Sequence, residues 1–152
     1  MFEAKLRELG ITLPEAVKPL AAYVPAVQVG DYLYTSGQIP IAEGKLRYAG
    51  KIGGALSVEE GYEAAKLCAI NCLSAIKGQI GDLDRIERIV KVTGFVNSAP
   101  GFTAQPQVIN GVSDLLLAVF GDAGVHARSA VGVSELPIDS AVEVEMIVKL
   151  RA

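Results

Sequence analysis

One histidine and two cysteines are all that the sequence offers in 152 residues. A zinc-type centre needs several soft or imidazole ligands at suitable spacing, so no metal site is expected. The same scarcity means that Ser-His-Asp or Cys-His machinery could run only through His126, and the sequence shows no partner for it. A run of about 20 apolar residues, the length of a membrane-spanning helix, is missing. So is a basic segment followed by an apolar run at the N-terminus, and neither membrane insertion nor secretion is expected. No G-x-x-x-x-G-K loop occurs, because Gly50, Gly53 and Gly54 do not follow a strand and open a helix. Basic residues are outnumbered, 14 Lys and Arg against 17 Asp and Glu, for a net charge of −3. Nucleic-acid binders usually carry a basic stripe, and the densest basic stretch here, Asp84-Arg85-Ile86-Glu87-Arg88, has acids interleaved. Aromatics make up only 6%, short of what stacking on single strands wants. No nucleic-acid partner is expected.

What the chain does have is apolar mass. Hydrophobic residues make up 51%, enough for a single-domain core over residues 1–152 that needs no disulfide or metal. Cys68 and Cys72 lie four apart within an apparent helix, where core packing is the plain reading. Their use suits the cytoplasm.

Elements follow from periodicity and punctuation. Residues 1–20 read as an N-terminal extension, with a short amphipathic helix over Glu3–Leu9 broken by the Pro14–Pro19 stretch. Gly30-Asp31 is a turn signal inside the β-rich segment Val24–Ile39, and Asp31–Ile39 is expected as a strand. Glu43-Gly44 marks another turn, after which Lys45–Tyr48 is expected to pair back as a second strand. Ser57 with Glu60 fits a capping box for a helix from about Val58 to Ile80, ended by Gly81. Its apolar positions Ala65, Cys68, Ala69, Cys72, Leu73, Ile76 and Ile80 keep helical spacing. A strand over Ile89–Val96, a helix over Pro106–Phe120 and strands over Ser129–Val133 and Val142–Leu150 complete the order β-β-α-β-α-β-β. This is an α+β pattern with two helices on one face of a mixed sheet.

The other sheet face is neither polar nor apolar. Along the last strand Val142, Val144, Met146 and Val148 share one side, and Glu143, Glu145, Ile147 and Lys149 the other. Such a mixture suits a subunit interface containing pockets.

Four positions draw notice for chemistry. His126 could act as a general base, against the plainer reading of a loop histidine before a strand. Arg128 heads a small, apolar strand, and its planar fork matches a carboxylate. The alternative is an internal salt bridge to Glu143 or Glu145. Either of those glutamates could activate a water, or simply belong to a solvated strand face.

Taken together, Thr35-Ser36-Gly37-Gln38-Ile39-Pro40, Phe95-Val96-Asn97, Ala127-Arg128-Ser129-Ala130-Val131 and Val142-Glu143-Val144-Glu145 resemble the RidA/YjgF family of reactive-intermediate deaminases. The likeness covers roughly residues 22–150. It implies a chorismate-mutase-like fold and a homotrimer with clefts between subunits. It also implies hydrolysis of 2-imino or 2-enamino acids to 2-oxo acids and ammonia, without metal or cofactor. On this resemblance Arg128 binds the substrate carboxylate and Glu143 positions the attacking water. Tyr23 and Ser36 line the cleft, and Gly37, Asn97 and Ala130 join them at substrate-binding positions.

Departures from the family pattern accompany the likeness. Ala130 stands where cysteine is common, Ala21-Ala22 replaces a Gly-Pro, and Ser98 replaces an Asp. The second helix carries Ser113-Asp114-Leu115-Leu116-Leu117 where an aromatic-rich pattern is usual. Three functions therefore remain open: an imine/enamine deaminase, a non-catalytic binder of small carboxylates on the same fold, and, least favoured by the acidic balance, a ribonuclease.

Overall fold

The computed structural model describes residues 1–16 and 22–152. Part of the Pro14–Pro19 break and Ala21 lie outside the described residues. A five-stranded mixed sheet runs in the order β1-β2-β7-β5-β6, from β1 (Ala26–Val29), β2 (Tyr32–Thr35), β7 (Val142–Leu150), β5 (Ile86–Asn97) and β6 (Ala127–Val133). Only β5 and β6 are parallel; the connection between them is α3 (Gln105–Phe120). A long helix, α2 (Val58–Ile80), links β2 to β5 on the same face. No described helix is long and apolar enough to cross a membrane.

The capping box of α2 is complete: Glu60 N–H donates to Ser57 Oγ at 3.1 Å, and Ser57 N–H to Glu60 Oε1 at 3.0 Å. All seven apolar positions of its expected stripe are buried. Cys68 and Cys72 point at β7, their thiols donating to the Val142 and Val144 carbonyls. Burial pushes the Cys72 thiol up to about 12, and Cys68 is raised as well. Both are core residues. Glycine sets the helix–helix approach: a Cβ on Gly111 of α3 would overlap the Tyr62 carbonyl of α2.

One pairing differs from expectation. The first strand ends at Thr35, not Ile39, and its hairpin partner is β1, closed by the Gly30-Asp31 turn with Val29 opposite Tyr32. Lys45-Leu46 (β4) does not join this sheet. It pairs with Ile41-Ala42 (β3) in a separate ribbon. The Glu43-Gly44 turn, with φ of 53° and 75°, is the tight left-handed type that closes two-residue hairpins. It therefore holds its own flanking residues together and cannot return the chain to Asp31–Thr35. Beyond Thr35 the chain keeps a single bridge to β7, Gln38 opposite Val144.

The N-terminal helix α1 (Phe2–Glu8) is part of the core. Phe2 packs against Phe120 with ring centroids 4.6 Å apart and planes tilted by 57°, and Leu6 is buried.

Candidate active site

Glu143 is the second residue of β7, on the face opposite Val142 and Val144, whose side chains are fully buried beneath the helices. Its half-buried carboxylate makes no hydrogen bond or ion pair with the described residues. Burial raises its pKa above the ordinary value, and the neighbouring Glu145 charge adds to the rise. The carboxylate lies against Gly37, where a Cβ would come 2.7 Å from Oε1. A cleft of about 620 Å³ opens here, lined by Tyr23, Gly37, Gln38, Asn71, Pro137 and Glu143 among others.

Ser36 shapes this cleft indirectly. Its Oγ donates to the Val24 carbonyl at 2.6 Å, and its N–H to the Pro25 carbonyl at 2.8 Å. The strand end thus grips the segment that presents Tyr23, which is 64% exposed.

Arg128 sits elsewhere. It is level with Val92 of β5 and shares that residue's helix-facing side. Its Nη1 donates to Asn110 Oδ1 at 2.8 Å and to Ser113 Oγ at 3.2 Å, both on α3. The expected alternative, a salt bridge to Glu143 or Glu145, is not formed. Strand alternation puts Arg128 and Glu143 on opposite faces of the sheet. The register separates them by three residues and two strands, roughly 10 Å in each direction. One chain brings Tyr23, Gly37 and Glu143 together, with Ser36 behind them. It does not bring Arg128 to them.

Ala130 is half-buried, two residues beyond Arg128 on the same side of β6. Asn97 does not line the cleft. It is fully buried, donates to Asp139 Oδ1 and the Ser140 carbonyl, and accepts from Lys51 Nζ at 2.9 Å. Lys51 also reaches the Ser134 carbonyl and Glu135. The pair braces the loop that carries Pro137 to the cleft rim, in which Ile138 and Asp139 hold positive φ. Lys51 was not singled out from sequence, since it is one lysine in a glycine-rich loop.

His126 has partners that the sequence did not reveal. Its Nε2 lies 3.0 Å from Ser113 Oγ and its Nδ1 2.6 Å from the Gly124 carbonyl. The hint was parity: His126, just before β6, and Arg128 within it are two apart, facing Asn110 and Ser113 one helical turn apart on α3.

Residues 3–150 match the family model described as "YjgF/chorismate mutase-like, putative endoribonuclease". The chain belongs to this family. It is 48% identical over 149 residues to protein TCP17 of Trypanosoma cruzi, covering 97% of this chain and 93% of that one. It is 31% identical over 141 residues to a 2-iminobutanoate/2-iminopropanoate deaminase of Dermatophagoides farinae, covering 93% and 95%. Among solved structures it resembles a protein of unknown function from Agrobacterium tumefaciens at 44% identity. That likeness covers 99% of this chain and 92% of the other, with a TM-score of 0.92. The expected chorismate-mutase-like fold is the one found.

Proposed function

We propose that this protein hydrolyses 2-imino and 2-enamino acids to 2-oxo acids and ammonia, in clefts between the subunits of a homotrimer. The observation that carries the reading is Glu143, a half-buried carboxylate without a partner among the described residues, its proton affinity raised, facing an open cleft beside Tyr23. Such a group suits taking a proton from water. Arg128 supplies the complementary feature, a guanidinium fixed at one nitrogen with the rest available to a carboxylate. The similarity to a named imine deaminase supports the same reaction.

The chemistry needs no nucleophilic side chain. A protonated imine carbon is already electrophilic. With the substrate carboxylate on Arg128, Glu143 accepts a proton as water adds to that carbon and the C–O bond forms. Glu143 returns that proton to the nitrogen, the C–N bond then breaks as Glu143 takes the proton of the new hydroxyl, and ammonia leaves as the carbonyl forms. Orientation and one general base supply the catalysis.

Assembly follows from the separation of Arg128 and Glu143. A complete site requires Arg128 of one subunit to approach Glu143 of the next. The open sheet face suits burial against a neighbour, for Val27, Val29, Tyr32, Tyr34 and Val131 are all more than 40% exposed there, an apolar surface larger than isolated side chains give.

A binder of small carboxylates is the second reading, favoured by one fact: Arg128 is held by its own chain and could grip an acid without Glu143. Ammonia release from imines generated in situ decides between the two. Release above background supports hydrolysis. Binding of a 2-oxo acid with no release on any imine supports the binder.

A further inference from the structure

With a neutral imidazole at His126, the hydrogen bonds around Arg128 form a chain that runs in one direction. The Gly124 carbonyl can only accept, so His126 Nδ1 carries the proton there. In the neutral ring Nε2 is then an acceptor, and Ser113 donates its hydroxyl proton to it. Ser113 Oγ is left with lone pairs only, and these accept from Arg128 Nη1. Asn110 Oδ1 takes the second Nη1 hydrogen. The far end is anchored too: Val125, between Gly124 and His126, holds Arg88 Nη2 on its carbonyl at 2.7 Å.

Both hydrogens of Nη1 are therefore consumed, whereas Nε and Nη2 make no hydrogen bond with the described residues. A guanidinium can take a carboxylate end-on through its two Nη atoms or side-on through Nε and Nη2. Here the end-on mode would require Nη1 to abandon one of its two acceptors.

We propose that Asn110, Ser113 and His126 are positioning residues that present the Nε/Nη2 edge of Arg128 to the carboxylate of a 2-oxo or 2-imino acid. The inference rests on the reading of Arg128 as the carboxylate clamp. Fixing one nitrogen removes rotamer freedom before the ligand arrives, so less is lost on binding. Ser113 is central because it alone touches both Arg128 and His126. It lies in the helix segment whose sequence departs from the family pattern.

The test compares Ser113→Thr with Ser113→Val, which match in shape and differ by the hydroxyl. Calorimetric binding of pyruvate and imine-hydrolysis kinetics are measured for the parent, both variants, Asn110→Asp and Arg128→Lys, with melting curves to confirm folding. Loss of one hydrogen bond at the guanidinium is expected to weaken pyruvate binding about tenfold in Ser113→Val. KM should rise to match and kcat stay within about twofold, because the acid grip is the same in ground and transition states. Ser113→Thr should restore both. Asn110→Asp, which gives Arg128 a permanent ion pair, should also weaken pyruvate binding. If Arg128→Lys weakens binding while Ser113→Val and Asn110→Asp leave it unchanged, the positioning role is overturned and the clamp stands. If Arg128→Lys itself changes nothing, the clamp reading fails instead. Equal loss in Ser113→Thr and Ser113→Val would show a packing effect and also overturn the inference. Should Ser113→Val not fold, Asn110→Asp decides the matter alone.

Discussion

Gly37 has no side chain where Glu143 needs room: a Cβ at position 37 would stand 2.7 Å from Oε1 and 2.9 Å from the carboxyl carbon. The obstacle is the end of a flexible side chain, so the fold can yield cheaply while the carboxylate cannot stay. Gly37→Ala should therefore melt close to the parent yet lose on the order of 100-fold in imine hydrolysis, the scale of an ångström's misplacement. Melting curves and steady-state rates on the same preparation check this. Full activity in a folded Gly37→Ala would mean that the present position of Glu143 is irrelevant to the chemistry.

Glu143→Gln separates catalysis from stability. Without a base to accept the water's proton, turnover should fall about 100- to 10,000-fold, with pyruvate binding largely kept. Stability should move the other way. The folded pKa of Glu143 is raised by burial and by Glu145, so the fold favours the protonated form. Its contribution is fully favourable below the unfolded pKa and is lost as pH rises through the folded one. The substitution should thus raise the melting temperature at pH 7. The gain should shrink as pH falls through the raised folded pKa and be gone below the ordinary carboxylate range. A lower melting temperature at pH 7 would contradict the burial argument.

Much of this was legible in the sequence because local rules and tertiary packing agree. The Ser57-Glu60 box, the α2 stripe and the alternation of β7 all name their own geometry. The failure at Lys45 had a specific cause. Two turn signals, Gly30-Asp31 and Glu43-Gly44, each imply a hairpin, and periodicity alone does not say which strands each one joins. Arg128 and Glu143 could be named as candidates, but their placement on opposite faces depends on β6 pairing in parallel with β5, a register no local pattern encodes. The Ser113–His126–Arg128 chain was hidden for the same reason, since helix and strand meet only in three dimensions.

The N-terminal helix is capped from a distance. Asp84 Oδ1 accepts from Phe2 N–H at 2.7 Å and Glu3 N–H at 3.0 Å, the service an N-cap side chain usually performs locally. Asp84→Ala should cost about 0.5–2 kcal/mol, a drop of roughly 1–8 °C in melting temperature for a chain of this size. Nearby, burial raises the Glu3 pKa. Its bonds from Lys77 at 2.8 Å and from Leu83 N–H outweigh that and hold it below the ordinary value. A depressed carboxylate stabilises above its unfolded pKa and stops doing so as pH falls through its folded one. Glu3→Gln should therefore destabilise at pH 7 and become neutral at acid pH, which melting curves across pH will show.

The separation of Arg128 and Glu143 gives the sharpest test of the shared site. Arg128→Lys and Glu143→Gln should each be nearly inactive alone. If every site takes its arginine from one subunit and its glutamate from the next, a mixed ring of the two variants contains one site with both native residues. Random mixing of equal amounts, by joint refolding or co-expression, leaves about three quarters of trimers mixed. Each of these restores one site in three, so about a quarter of the parent's activity should return. Light scattering on the mixed sample verifies the trimer mass, and tagging one variant confirms that the subunits have exchanged. Activity that stays at the sum of the two variants' own residual activities, in a sample shown to be mixed trimers, would mean that Arg128 and Glu143 do not serve one site across an interface. A stable monomer at micromolar concentration would remove the interface altogether.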